Sequence, residues 1–310
     1  MDRQTSLVPR NRSAQVHPNG YEHNSRNKSL QRCLQWLLIA WIRVKKHLSE
    51  IVGLTPRTNA WPLDGYCPTP RAIREGAGTW KALDVIYNYA FEQSKSLRSR
   101  LDAYWISIDN VLAVRNRLRL VKHELRQSIE AYPDRDEVRI LELAAGSAQA
   151  VVEVIAELRA EGFPVRVSAT LVDIDPDALA HGEEMAARLG VADCVTGVCA
   201  NAFRVNKLAQ QFRPDIIEMV GFIEYINDDQ LRRLLTHIKL SLPPDGTLIT
   251  AVIMPNAEQP FVHTAFDWPA MAYRTPAQLD ESLRQAGWGH CRLTFEPFRI
   301  HCLARCKQPL

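Results

Sequence analysis

The sequence has little glycine and no long apolar run, and these absences exclude several classes of protein. Glycine and proline contribute 14 and 18 of the 310 residues, too few for a collagen-like or low-complexity chain. A helix that spans a bilayer needs roughly 20 consecutive apolar residues. The longest apolar candidate, residues 34–44, is shorter and contains Gln35 and Arg43. The remaining composition is that of an ordinary globular protein.

Paired cysteine motifs are also missing. None of the seven cysteines belongs to a CxxC pair, and no cysteine–histidine cluster has the spacing of a zinc site. We therefore expect no metal and reduced, mostly buried thiols, as in a cytosolic protein. Residues 1–29 are polar and lack the apolar segment of a secretory signal, which favours the same cytoplasmic location.

Excess positive charge is confined to the N-terminal end. Residues 1–60 contain ten Lys and Arg against three Asp and Glu, whereas the rest of the chain contains 28 against 32. A nucleic-acid-binding domain usually presents a basic face. We therefore expect no nucleic-acid partner.

The N-terminal region is predicted to be helical after a disordered start. Residues 1–29 are polar and without periodicity, which predicts a disordered basic arm. Apolar residues recur at helical spacing over 30–51. This helix either packs on the rest of the protein or, through 30–46, lies on an anionic membrane surface. Residues 80–130 are also helical in pattern, and we interpret 30–130 as a lid that forms the substrate pocket.

Two sets of side chains in this region have plain structural interpretations. Basic residues recur near the end of the helical segment, and the simplest interpretation is a solvent-exposed face. They are Arg115, Arg117, Arg119, Lys122 and Arg126. The aromatic residues of the region could line a pocket, but aromatics in helices usually belong to the core.

From residue 131 the pattern changes to alternating strands and helices. Short apolar runs predict strands at 138–143, 165–172, 194–198, 215–220, 247–253, 291–295 and 299–304. Helical segments are predicted at 148–160, 176–189, 228–242 and 275–286. This alternation favours an α/β fold, a doubly wound, Rossmann-like sheet of seven mostly parallel strands, with the last two strands as an antiparallel hairpin at the edge.

A turn of small residues follows the first of these strands. Ligands of such sheets bind at the carboxyl ends of the strands, and the small residues would let a ligand approach the backbone. They are Ala144, Ala145, Gly146, Ser147 and Ala148. Glu142, on the strand beside the turn, could accept a hydrogen bond from a ligand ammonium. A plain strand–turn–helix with a solvated glutamate is the alternative.

The next two strands also end in polar residues. Asp173 follows the second strand, where a carboxylate can hold two ribose hydroxyls, and Ile174 would lie against a purine. Asn201 and Ala202 follow the third strand, and an asparagine amide can bind an adenine edge. Each residue could instead be a helix cap or turn residue. Their succession at three strand ends favours a nucleoside site.

Residues 138–306 resemble class I S-adenosylmethionine-dependent methyltransferases. The segments ILELAAGSAQ, TLVDIDPDAL, GVCANAF, DIIEMVGFIEYI and LPPDGTLITAV occur in the order typical of that family. The closing QAGW…LTFEPFRIHCLARC is similar to the family's terminal hairpin. A bacterial methyltransferase group with a helical N-terminal segment is the most similar within this superfamily.

The resemblance implies S-adenosyl-L-methionine as cofactor and a role for several residues. Glu142 would lie near the methionine amino group, Asp173 would bind the ribose and Asn201 the adenine. Ala144, Gly146 and Ala148 occupy the positions of three family glycines, so two of the three depart from the pattern. The backbone that lines the methionine end would be Val220 and Gly221.

The acceptor side is less distinct in the sequence. Methyl transfer expels a neutral thioether, so a base is needed only when the acceptor must lose a proton early. Candidate catalytic residues are Glu224, Tyr225 and His263. Glu224 could instead cap a helix, and His263 could be a surface-loop histidine. We expect a small-molecule or lipid-like acceptor.

Two other functions remain open from the sequence. A nicotinamide-dependent oxidoreductase would use a similar sheet, but its GxGxxG turn and the acid about 20 residues further on are absent. A non-catalytic methyltransferase-like scaffold subunit is the second alternative, because no general base is evident. The sequence leaves the oligomeric state undetermined.

Overall fold

The computed structural model describes residues 14–16, 20–91, 96–289 and 291–308. The chain forms two compact units. The first comprises Met1–Asn116 and Asn256–Pro269, and the second comprises Arg117–Pro255 and Ala270–Leu310. The division lies at Arg117 rather than near residue 131, and a segment after the fifth parallel strand groups with the N-terminal unit.

Elements are numbered in chain order. The helices are α1 (Lys28–Ile51), α2 (Pro68–Glu75), α3 (Trp80–Asn88), α4 (Leu97–Ile106), α5 (Asp109–Glu130), α6 (Gln149–Ala160), α7 (Pro176–Arg188), α8 (Val205–Phe212), α9 (Asp228–Ser241), α10 (Gln259–Ala265) and α11 (Pro276–Gln285). The strands are β1 (Ala14–Val16), β2 (Glu22–Asn24), β3 (Glu137–Leu143), β4 (Arg166–Asp173), β5 (Val195–Cys199), β6 (Ile216–Met219), β7 (Thr247–Ile253), β8 (Cys291–Phe295) and β9 (His301–Lys307). Helix α8 was not anticipated from the sequence.

The first unit is helical and has its own core. Leu63, Ile106 and Phe261 are fully buried there. Trp105 stacks on Phe261, and its indole nitrogen donates to the Pro62 carbonyl oxygen at 2.8 Å, so this aromatic residue belongs to the core, whereas Trp61 is 62% exposed. No helix among the described residues is both long and apolar enough to cross a membrane.

Part of the predicted disordered arm has regular structure. Strands β1 and β2 pair in antiparallel fashion, and α1 begins at Lys28 with Asn27 as its cap. The Asn116 side chain accepts from the Glu22 backbone nitrogen and donates to the Glu22 carbonyl oxygen, both at 2.8 Å. These bonds attach β2 to α5. The rest of the predicted arm, 1–13 and 17–19, lies outside the described residues.

The second unit contains the predicted seven-stranded sheet. Its strand order is β5-β4-β3-β6-β7-β9-β8. The first five strands in this order are parallel, and β9 is antiparallel to both of its neighbours. Fully buried Leu141, Ile217 and Leu248 lie on three central strands, and β6 and β7 are buried along their whole length, as expected for covered parallel strands. The predicted fold class is confirmed.

Local sequence signals set several helix ends in this unit. Thr275 and Gln278 form a capping box, with Pro276 in the first turn of α11, as the Thr-Pro pair predicted. The same device begins α9, where Asn227 and Gln230 bond reciprocally. The cap of α9 is therefore Asn227 and not Glu224.

The cysteine prediction is wrong for one pair. Cys291 on β8 and Cys306 on β9 are register partners and form a disulfide. Spacing motifs cannot reveal such a bond, because it depends on the pairing of strands whose register is set by the sheet. The other five cysteines are free thiols.

Candidate active site

The loop after β3 has an unusual backbone. Ala144, Gly146 and Ala148 have φ of 55°, 55° and 53°, a left-handed conformation that alanine adopts at a cost. The Ala145 backbone nitrogen donates to the Val172 carbonyl oxygen at 3.0 Å. Room for the Ala148 methyl comes from α7, since a Cβ atom on Gly182 would lie 3.2 Å from it. The alanines thus fit a turn in which glycine was expected.

Asp173 joins the loops that follow β3 and β4. One of its carboxylate oxygens accepts from the Gly146 backbone nitrogen and the other from Asp175, both at 2.9 Å. Asp175, in turn, caps α7. Ile174, between the two acids, is 71% exposed at the edge of the sheet, where an apolar side chain is free to cover a ligand.

Asn201 and Ala202 lie at the end of the adjacent strand, β5. The Asn201 amide oxygen accepts from the Phe203 backbone nitrogen at 2.9 Å, so it caps a short turn. Ala202 is buried. The backbone nitrogen of Ala200 donates to the Asp173 carbonyl oxygen at 2.9 Å. The structure thus brings the three predicted strand ends together.

Two buried glutamates lie side by side next to the loop. Glu142 on β3 and Glu218 on β6 are register partners, and they are 4% and 3% exposed. Burial, followed by the charges of Glu218 and Asp173, raises the pKa of Glu142 well above its ordinary value. Burial also raises the pKa of Glu218 to about 8. Glu218 therefore keeps its proton at neutral pH, and both carboxyls would ionise more readily beside a cation.

Further buried polar groups lie near this pair. The Arg117 guanidinium is 3.9 Å from a Glu224 carboxylate oxygen and lies next to Gly221, whose φ is 89°. Burial raises the pKa of Glu224. Neither Glu224 oxygen has a hydrogen-bond partner among the described residues. On β9, burial and the Arg117 charge lower the pKa of His301 well below its ordinary value, so this histidine is neutral.

Residues 72–308 match the protein family described as "Putative methyltransferase". The chain belongs to this family. The predicted enzyme class is therefore confirmed, and the sheet order and strand directions are those expected of class I enzymes, which use S-adenosylmethionine. Membership of a methyltransferase family also decides against the nicotinamide-dependent alternative.

Two solved structures share the fold of this methyltransferase. A possible exported protein from Bordetella parapertussis is 16% identical over 92% of this chain and 98% of its own, with a TM-score of 0.65. The CMeT domain of the citrinin polyketide synthase is 15% identical over 93% of this chain and 81% of its own, with a TM-score of 0.53. No curated protein matches the sequence significantly.

The remaining predicted residues of the methyltransferase are divided between the two units. Val220 and Gly221 follow β6 directly and are half-buried, and Tyr225 is 41% exposed. His263 lies in the first unit on α10, where its Nδ1 atom is 2.8 Å from the Trp268 carbonyl oxygen. Ser147 is buried within the β3 loop.

Three polar residues of the site were not anticipated. Arg117 was assigned to a solvent-exposed face, yet it is 6% exposed; its partners are distant in sequence and appear only in the fold. Glu218 carried a usable signal, because a carboxylate within the apolar strand DIIEM is costly to bury without a function. His301 had no comparable signal.

Proposed function

We propose that this methyltransferase transfers the methyl group of S-adenosylmethionine to a small-molecule or lipid-like acceptor at the carboxyl edge of the sheet. One observation carries the proposal. A buried Glu142 oxygen has no hydrogen-bond partner among the described residues, and it lies beside a left-handed loop at the first strand end. An ammonium group would satisfy this oxygen and stabilise its charge.

The other strand-end residues fit the rest of the cofactor. Asp173 would accept hydrogen bonds from the ribose hydroxyls in addition to those from the backbone, since two carboxylate oxygens offer about four acceptor sites. Ile174 would cover the purine. Asn201 and Ala202 would line the adenine side, and the backbone at Val220 and Gly221 would line the methionine end.

The cofactor supplies an electrophilic methyl group bonded to a sulfonium. The chain's own residues align the acceptor and exclude water, which accounts for most of the acceleration in such a displacement. A base is needed only for acceptors that must lose a proton. Glu224 is the best-placed candidate, because its buried carboxylate lacks a hydrogen-bond partner among the described residues and has a raised pKa. Tyr225, in the same unit, is a further candidate for an acceptor contact.

A binding experiment tests the cofactor part of this proposal. Isothermal titration of the full chain with S-adenosylhomocysteine should give a heat of binding with one site per chain, and NADH should give none. The absence of heat with S-adenosylhomocysteine at high protein concentration would exclude the proposed site.

An activity experiment tests the transfer itself. Radiolabelled S-adenosylmethionine, incubated with the protein and fractions of a metabolite or lipid extract, should label a compound. Binding of the cofactor without any labelled product would favour the scaffold alternative. With an acceptor identified, Glu224→Gln should lower kcat by roughly 100-fold or more if Glu224 is the base, while the affinity for S-adenosylhomocysteine stays unchanged.

A further inference from the structure

Helix α1 packs on the rest of the first unit through a side that is part polar and part apolar. Its buried residues are Gln31, Gln35, Ile39 and Ile42. The Gln35 amide nitrogen donates to a Glu258 carboxylate oxygen at 2.7 Å, and the Gln31 amide oxygen accepts from Asn24 at 2.9 Å. Most of the large apolar residues of the helix lie away from this side and are exposed.

Most of these exposed apolar residues form one ridge along the helix, which we call the α1 seam, whereas Trp36, 59% exposed, lies outside it. The α1 seam consists of Leu30, Leu34, Leu37, Trp41, Val44, Leu48 and Ile51, which are 41–68% exposed. Successive members are four and three residues apart in strict alternation. An average spacing of 3.5 residues maintained over three heptads is the pattern of a helix that packs against another helix.

The surroundings of the α1 seam favour a helix over a lipid surface as its partner. The exposed charged residues Arg32, Arg43 and Glu50 lie about 140° around the helix from the seam. Lys45 binds the Thr58 carbonyl oxygen and Lys46 binds Asp267, both within the unit, so neither ammonium group is directed at lipid headgroups. A helix on an anionic membrane instead carries basic residues along the borders of a wide apolar face.

The size of the α1 seam suits a stable interface. Its full burial would remove on the order of 700 Å² from each copy, close to the roughly 800 Å² that each partner buries in a standard interface. An apolar groove of about 400 Å³ adjoins the seam at Leu34 and Leu37 and is also lined by Leu101 and Tyr104. This groove enlarges the apolar surface and can accept a bulky side chain.

We propose that the α1 seam binds the α1 seam of a second copy of this chain. A seam of this spacing is complementary to itself, because apolar side chains of one helix enter the spaces between those of the other. Two-fold pairs of identical surfaces are the commonest closed assemblies of soluble proteins. The resulting homodimer would bury, in each copy, the residues that one copy leaves in water.

The test is the molar mass of the full chain in solution. Light scattering after size-exclusion chromatography should give twice the 35.2 kDa of one chain. Leu37→Glu and Trp41→Glu place a carboxylate in the middle of the α1 seam and should each raise the dimer dissociation constant at least roughly 30-fold. Leu240→Glu is the matched control, since Leu240 on α9 is 76% exposed and outside the seam.

Circular dichroism checks that the variants are folded. We expect them to be, because neither substitution touches the buried side of α1 or its Asn27 cap. A monomeric wild-type chain, or a dimer that survives both seam substitutions, would overturn the proposal. So would a monomer that binds anionic phosphatidylglycerol vesicles through the seam, because that result would assign the surface to lipid.

Discussion

At the scale of single residues, the adjacent carboxylates of Glu142 and Glu218 dominate the electrostatics of the site. Both are buried, and ionising either one places a charge where water cannot solvate it. Arg117 offsets part of this cost for Glu218. A bound cation would offset more of this cost. The buried carboxyl pair, which destabilises the ligand-free protein when it ionises, therefore favours a cationic ligand.

The first prediction concerns the pH dependence of stability. The pKa of Glu218 is about 8 in the folded chain and 4.5 when exposed. Between these pH values the unfolded chain releases a proton that the folded chain keeps, so raising the pH from 5 to 8 should lower the free energy of unfolding. In Glu218→Gln this fall should be smaller, as measured by urea unfolding.

The exposed Glu184 supplies the control for that experiment. Glu184→Gln should reproduce the wild-type fall. If wild type and Glu218→Gln lost equal stability between pH 5 and 8, Glu218 would not retain its proton in the fold.

A second prediction concerns Asp173. Asp173→Asn keeps an acceptor for the Gly146 nitrogen but removes the charge and one acceptor, and it should weaken S-adenosylhomocysteine binding about tenfold, since hydrogen bonds to charged groups contribute roughly 1.5–3 kcal/mol. Asp175→Asn, the same change two residues away, should leave affinity unaltered, because asparagine caps a helix as well as aspartate does. Equal titration curves for the two variants would remove Asp173 from the site.

The sequence predicted the half of the site that depends on local order. Asp173 and Gly146 each follow a strand, and parallel strands bring their ends together, so a chain order becomes a spatial neighbourhood. Arg117 and His301 reach the same region from a helix and an antiparallel strand. Nothing local marks them, because their roles depend on packing between distant segments.

At the scale of elements, α1 departs most from its prediction. Helical spacing located it to within two residues at its start, Lys28 against residue 30. Its apolar face was expected either to pack on the protein or to lie on a membrane, yet the residues that are buried within the unit are Gln31, Gln35, Ile39 and Ile42. Periodicity reports that a helix has an apolar face but not what covers that face. The central strands were easier, since the apolar runs of β6 and β7 are buried on both faces.

The disulfide between β8 and β9 gives a third prediction. A cross-link that closes a loop of 15 residues should stabilise the fold by about 3 kcal/mol. Urea unfolding of the native chain should therefore require more denaturant in its oxidised form than in the presence of dithiothreitol. Cys291→Ser should unfold like the reduced chain under both conditions.

Cys33→Ser is the matched control, because Cys33 is an exposed free thiol. It should retain the full response to dithiothreitol. A native chain whose unfolding midpoint ignores the reductant, or in which mass spectrometry after alkylation finds seven free thiols, would contradict the predicted stabilisation.

At the scale of the whole molecule, the chain forms two units, and each unit is built from two separate segments of the sequence. The segment Asn256–Pro269 follows β7 and groups with the N-terminal helices before the chain returns for α11. Sequence patterns place boundaries where the composition or periodicity changes, so they predicted divisions near residues 30 and 131 and no return of the chain to the N-terminal unit. A short helix such as α10 carries too few turns to reveal the unit to which it belongs.

Hydrogen exchange across the whole chain gives the fourth prediction. Saturating S-adenosylhomocysteine should slow exchange in the second unit at the loops around 144–148, 173–175, 199–203 and 220–225. Proteolysis and mass spectrometry can resolve each of these segments. Residues 80–88 of the first unit serve as an internal reference. Unchanged exchange at all four loops, despite measurable binding heat, would move the cofactor to another part of the molecule.

The left-handed conformation of Ala144 and Ala148 has a consequence for the entropic cost of ligand binding. Both hold a backbone shape that an alanine in a flexible segment would abandon. The neighbouring strand and helix must therefore hold this backbone conformation before a ligand binds. A nucleoside would therefore bind to a preorganised loop, and little binding free energy would be lost in ordering the protein.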